Sequence, residues 1–116
     1  MSLIWLPLIS VQQIDEIRVE SEIRPILIFK HSTRCTISSL AKFRLESDWT
    51  VGDKLLLTYF LDLLKYREVS NSLADVFSIP HASPQVLLVH KTEVIYDASH
   101  LEIKASEIME ALPSVQ

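Results

Sequence analysis

Ile26-Leu27-Ile28-Phe29, then Lys30-His31-Ser32-Thr33-Arg34, then Cys35-Thr36-Ile37-Ser38 is the stretch that decides the fold. Pro25 to Phe29 predicts a strand, and its continuous apolar run predicts one covered on both faces rather than a half-exposed, alternating one. His31-Ser32-Thr33-Arg34 is a polar break. Ile37, Leu40, Ala41 and Leu45 then recur at helical spacing. Cys35, the single cysteine of the chain, therefore stands where a buried strand turns into a helix.

Upstream, Ser10-Val11-Gln12-Gln13 reads as a capping box, with Ser10 as N-cap and Gln13 reaching back. It predicts a helix over about residues 10–20, with Val11, Ile14 and Ile17 on its apolar face and a short extended arm before it. Downstream, Trp49 to Asp53 holds the only glycine, Gly52, and reads as a turn. Leu55 to Leu61 predicts a second strand. Tyr66, Val69, Leu73, Val76 and Phe77 mark an amphipathic helix. After the proline-punctuated loop 79–84, Gln85 to His90 predicts a third strand, and Val94-Ile95-Tyr96 the second arm of a hairpin. Ser99 is the expected N-cap of a last helix carrying Leu101, Ile108, Met109 and Leu112. Two apolar strands alternating with helices predict a βαβ unit, and the last two strands an antiparallel hairpin. The expected α/β architecture is a thioredoxin-like fold: a mixed four-stranded sheet with helices on both faces.

The 116 residues are 48% hydrophobic and 22% charged, which is ordinary globular composition. Residues 1–116 are expected to form one domain, since a domain this size buries roughly 65% of its unfolded surface. The net charge is −4, and Lys and Arg form no stripe suited to phosphates, so nucleic acid is not an expected partner. One cysteine excludes an internal disulfide and any multi-cysteine metal site. The apolar start Leu3-Ile4-Trp5-Leu6-Pro7-Leu8-Ile9 lacks the basic lead and cleavage site of a signal peptide. No stretch reaches the roughly 18 to 20 apolar residues of a membrane span. A cytoplasmic protein without membrane attachment is the expectation.

A thiol in the first turn of a helix lies near unbonded backbone N–H groups and the positive end of the macrodipole, which favour the thiolate. The thiolate is the attacking species in thiol–disulfide exchange. Arg34 adds positive charge if its guanidinium turns inward. Cys35-Thr36-Ile37-Ser38 is a C-x-x-S pattern, with Ser38 where a dithiol enzyme holds its resolving cysteine. Ser38 is expected to donate a hydrogen bond to the Cys35 sulfur. With no second thiol, a bound group must be released by a thiol from outside. A lone cysteine is also often a small buried hydrophobe; the strand-to-helix junction argues for the reactive reading. Ser83-Pro84 precedes an apolar strand, where a proline that cannot donate to the ladder belongs; the sequence is compatible with either isomer.

Three segments resemble the monothiol bacilliredoxins, the YtxJ family. Phe29 to Ser38 resembles the family's active-site segment, His81-Ala82-Ser83-Pro84-Gln85 its proline loop, and Asp97-Ala98-Ser99-His100 the start of its last helix. The three fall in order along nearly the whole chain. The resemblance implies a thioredoxin fold and removal of bacillithiol, or a similar low-molecular-weight thiol, from protein mixed disulfides. Carried over, Cys35 is the attacking thiol, Ser83 and a cis Pro84 line the substrate groove, and Thr33, Arg34 and Ser38 flank the sulfur. No resident cofactor is implied; the small thiol is a co-substrate and S-thiolated proteins are the clients of a monomer or weak dimer. The chain departs from the family at Thr36, where proline is usual. Thr36 loosens the first helical turn and keeps an N–H that can bond the thiolate. Dithiol thioredoxins carry a buried acid six residues before the attacking cysteine; Phe29 stands there, consistent with the missing resolving thiol.

Of the four histidines, His31 is expected to be a partly exposed loop residue, and His100 to help start the last helix. His81, His90 and His100 show no metal-ligand spacing. Asp62 is expected to cap the segment after the second strand, and Trp5 and Trp49 to be packing residues. The alternative function is a redox-inactive thioredoxin-fold protein-binding module, since fold alone does not fix function. Iron–sulfur carriage is disfavoured, because the motif lacks the glycine and phenylalanine of monothiol glutaredoxins.

Overall fold

The computed structural model describes residues 3–52 and 55–113. The element order is β1 (Leu6–Pro7), α1 (Gln12–Glu20), β2 (Ile26–His31), α2 (Thr36–Ser47), β3 (Leu57–Asp62), α3 (Arg67–Phe77), β4 (Gln85–His90), β5 (Glu93–Ser99), a short 3-10 turn (His100–Glu102) and α4 (Ala105–Ala111). The sheet order is β1-β3-β2-β4-β5. β3 runs parallel to β2 and to β1, while β4 runs antiparallel to both β2 and β5.

All six residues of β2 are buried, as its unbroken apolar run predicts. Its side chains feed two separate cores. Leu27 and Phe29 pack with Ala41 and Leu45 of α2 and Ala105 and Ile108 of α4. Ile26 and Ile28 pack with Ile14 and Ile17 of α1 and Val69 and Leu73 of α3. Helices thus cover both faces of the central strand. Each fully buried leucine or isoleucine contributes about 1.5–3 kcal/mol to this arrangement.

Several expectations need correction. The sheet has five strands, not four: the N-terminal arm supplies β1, which pairs Leu6 with Tyr59 and Pro7 with Phe60, and the Leu8 N–H donates to the Phe60 carbonyl at 2.9 Å. Two residues, one a proline, carry no strand signal of their own. β3 begins at Leu57, two residues later than predicted, and part of the preceding turn, Asp53, lies outside the described residues. In α1, Gln13 does reach back, its Oε1 accepting the Ser10 N–H at 3.0 Å and the Ile9 N–H at 2.7 Å. The Ser10 hydroxyl caps no amide, and the helix begins at Gln12. The inward stripe of α2 is Ser38, Ala41 and Leu45, whereas Ile37 and Leu40 are 42% and 46% exposed. A buried serine completes the inward face, so a pattern drawn from apolar residues alone is rotated by one position. Ser99 ends β5 instead of capping the last helix, which starts at Ala105.

The β4–β5 hairpin turns on Lys91 and Thr92, both at positive φ (54° and 66°). Neither is the glycine or asparagine such a turn prefers. Ser21, after α1, holds the turn. Its carbonyl accepts the Lys91 N–H at 2.9 Å, and its hydroxyl oxygen accepts the Thr92 N–H at 3.0 Å.

Candidate active site

Cys35 sits at the predicted junction, between the end of β2 and the first residue of α2. It is half-buried and occupies the N-cap position with extended backbone (φ −107°, ψ 120°). Its N–H donates to the Ser32 carbonyl at 3.2 Å, and its carbonyl accepts the Ser39 N–H at 3.1 Å. The first amides of α2 have no acceptor within the helix, as at any helix start. Thr33, Arg34 and Thr36 are exposed around the thiol. Thr33 and Arg34 line an open groove of about 400 Å³ with Asp62, Leu64 and Lys65. Asp62 caps the turn after β3, its Oδ1 accepting the Lys65 N–H at 3.3 Å.

Ser38 is fully buried and its hydroxyl is engaged elsewhere than the Cys35 sulfur. The oxygen accepts the Ser32 N–H at 3.0 Å and lies 2.6 Å from His31 Nδ1. The oxygen keeps a second lone pair as well as its proton, so the direction of its bond to His31 Nδ1 follows the imidazole tautomer. The expected Ser38–Cys35 bond is therefore replaced by a tether between the loop and the helix. An inward-facing side chain in the first turn of α2 meets the end of β2 beneath it.

His31 is likewise not an exposed loop residue. It is the last residue of β2, 6% exposed, with its ring 5.8 Å from Phe29 and 5.3 Å from Phe60. Burial pushes its pKa down and the charge of Lys42 adds to this, against smaller opposing effects of Asp62, Glu46 and the Ser38 contact. Below it, Phe29 and Phe60 pair across β2 and β3 with rings stacked at 6.3 Å. Trp5 closes this aromatic group, and its Nε1 donates to Glu46 Oε2 at 2.6 Å. Burial alone would raise the Glu46 carboxyl, but hydrogen bonds from Lys42 and Trp5 outweigh it and hold the pKa below the usual value. The ground behind the thiol is thus aromatic, with one neutral imidazole.

The Ser83–Pro84 peptide bond is cis. Pro84 is buried, and its carbonyl accepts the His100 N–H at 3.0 Å. His100, at φ 57°, therefore buttresses the proline loop through its amide, and the last helix begins five residues further on. Gln85 pairs with Lys30 of β2 on one side and Ser99 of β5 on the other. The three sequence motifs, far apart in the chain, meet at one end of the sheet. The Ser83 hydroxyl there is buried with no hydrogen-bond partner among the described residues.

One group at this end escaped the sequence reading. Lys30 is 1% exposed, on the face of β2 opposite His31. Its Nζ lies 2.8 Å from His81 Nδ1 and 3.2 Å from Gln85 Oε1. Burial lowers its pKa to about 8. A lysine ending an apolar run reads as the polar edge of a strand; only its pairing opposite Gln85 reveals it as an interior residue. Among the described residues no group of three or more His, Cys, Asp or Glu could hold a metal ion, and no helix is long and apolar enough to cross a membrane.

Residues 6–108 match the family model described as monothiol bacilliredoxin BrxC. Among solved structures, the chain is similar to one described as having a thioredoxin fold, at 24% identity and TM-score 0.78, with 91% of each chain covered. It is also similar to the thioredoxin of Malassezia sympodialis, at 12% identity and TM-score 0.72, over 96% of this chain and 89% of that one. A structure of the yeast mitochondrial 1-Cys peroxiredoxin thiol-resolving system matches at 12% identity and TM-score 0.69, over 97% of each chain. These structural likenesses show the thioredoxin fold.

Proposed function

This chain belongs to the monothiol bacilliredoxin family, and from that membership we propose that it is a thiol–disulfide oxidoreductase that strips a low-molecular-weight thiol, bacillithiol or a close relative, from protein mixed disulfides. Family and fold give it a thiol-based redox role. The observation that carries the finer reading is the place of Cys35, a half-buried lone thiol at a helix N-cap, at the sheet end where the proline loop lies. In the proposed reaction, a client protein carrying protein–S–S–R docks along Ser83 and Pro84. The Cys35 thiolate attacks the sulfur of R. A new S–S bond joins Cys35 to the sulfur of R, giving Cys35–S–S–R, as the client's S–S bond breaks, and the client sulfur leaves with the electron pair and takes up a proton. With no second thiol in the chain, a thiolate from outside attacks the sulfur of R in Cys35–S–S–R, leaves with it as a small disulfide and restores the Cys35 thiolate.

Thr33, Arg34 and Thr36 contact the incoming disulfide in this reading, and Ser38 keeps the first turn of α2 in place from below. The cytoplasm, which keeps thiols reduced, is the compartment the reaction calls for. A bacillithiolated client incubated with the protein and free bacillithiol tests the proposal: release of the client thiol is expected with wild type and not with Cys35→Ser. Release at equal rates by both rejects it. The second reading, a docking module without turnover, is favoured by the outer face of α2, where Ile37, Leu40 and Phe43 are 42%, 46% and 67% exposed beside the thiol. Client binding without release of thiol by wild type selects it.

A further inference from the structure

Lys30 is almost wholly buried, yet among the described residues it makes no ion pair with a carboxylate. An uncompensated ammonium is costly to bury, and an apolar side chain of similar length would suit the site better for stability. The reason for a lysine lies in what its head group holds. Nζ bonds His81 Nδ1 at 2.8 Å and Gln85 Oε1 at 3.2 Å. Gln85 Nε2 in turn donates to the Pro80 carbonyl at 3.1 Å. His81 and Gln85 flank Ala82, Ser83 and Pro84. One head group therefore fastens both ends of the proline loop to the central strand.

We infer that Lys30 is a positioning residue for the substrate groove: by bonding His81 and Gln85 together it fixes the Ser83–Pro84 segment against which a mixed disulfide docks. The inference rests on the reading of Ser83–Pro84 as the docking ledge. Lys30 belongs to the face of β2 opposite His31, so it acts through the loop and not on the thiol.

The chemistry of the latch gives it a direction. Nδ1 of His81 accepts from an ammonium, so His81 must be neutral there. The groups facing His81 are Lys30 from β2 and Arg67 and Ser70 from α3. Burial and the two cations all push the His81 pKa down, which keeps the latch closed at neutral pH. Loss of the Lys30 proton still leaves two N–H donors, so alkali does not open it; protonation of His81 does.

The test uses Lys30→Met, with His81→Ala as a second variant should the first not fold, and His81→Asn as the conservative rescue. The substrate is a peptide whose one cysteine is capped by bacillithiol. The Lys30→Met protein is expected to show a KM for this peptide raised roughly tenfold, equivalent to about 1.4 kcal/mol of docking affinity. Its kcat and its rate of Cys35 alkylation by iodoacetamide should stay near wild type. The His81 midpoint, followed by NMR, should rise towards its ordinary value. His81→Asn, which keeps an acceptor, should recover most of the affinity that His81→Ala loses. An unchanged KM in both Lys30→Met and His81→Ala overturns the inference, as does a parallel fall in alkylation rate. Amide hydrogen exchange across residues 81–85 reads the same latch without turnover. It should quicken in the folded variant, and unchanged exchange overturns the inference. A wild-type protein inert towards the peptide would count against the proposed reaction alone, since the exchange measurement would still judge the latch.

Discussion

Ser38 Oγ lies 2.6 Å from His31 Nδ1, and the same oxygen accepts the Ser32 N–H, tying that amide to the first turn of α2. The side chain that stands in place of a resolving thiol is thereby a structural knot under the Cys35 loop.

Cutting that knot should be felt in stability first. Ser38→Ala leaves the Ser32 N–H and the buried imidazole without their partner, a loss of about 1–3 kcal/mol. Urea denaturation should show the midpoint fall with little change in slope. Exchange through Cys35 should slow and not vanish, because the variant loosens the loop but keeps the thiol.

The His31 site also predicts acid sensitivity. The folded state holds this histidine neutral with its pKa below the ordinary 6.5. As pH falls below about 6.5, the unfolded chain takes up a proton that the folded one resists, so stability declines until pH reaches the folded-state pKa. His31→Asn should flatten that part of the profile, measured as the urea midpoint between about pH 7 and 5.

Lys30 produces a slope at the other end of the scale. Its folded-state pKa is lowered from 10.5 to about 8. Between those values the unfolded chain carries the proton and the folded one does not, so this residue makes stability rise with pH across that window. Lys30→Met should remove that contribution and should be no less stable than wild type at pH 7. A stable variant with a raised KM separates positioning of the loop from support of the fold.

The β4–β5 turn offers a test away from the site. Thr92 is a β-branched residue at φ 66°, a conformation that costs about 1–2 kcal/mol relative to glycine. Thr92→Gly should raise the melting temperature by several degrees, on the order of 1 kcal/mol. Ser21→Ala, which removes the acceptor of the Thr92 N–H, should lower stability by about 1 kcal/mol.

The sequence was most readable where hydrophobic runs and chemistry coincide. The unbroken run at 26–29 announced a strand buried on both faces, and the polar break before Cys35 announced the junction. It was least readable where a polar side chain lies inside. Ser38 completes the inward stripe of α2, His31 ends a buried strand, and Lys30 lies under the proline loop. Each is satisfied by a partner distant in the chain or across a turn, which no periodicity records. β1 was missed for a different reason. Its two residues are held by pairing with Tyr59 and Phe60, with the flanking Leu8 N–H on the Phe60 carbonyl and Trp5 packed against the Phe60 ring, not by any propensity of their own.

That small strand has a consequence for how the molecule meets other proteins. An open sheet margin invites a passing chain to add itself by backbone pairing. Here one margin is blunted by Leu6–Pro7, where proline offers no N–H, and the other is β5, whose outward-facing positions include Glu93 and Asp97. Strand-by-strand recruitment, and the aggregation that follows from it, is thereby discouraged on both flanks. Under the proposed reaction, clients would meet the molecule at the tip of the sheet, where Cys35 and the proline loop lie.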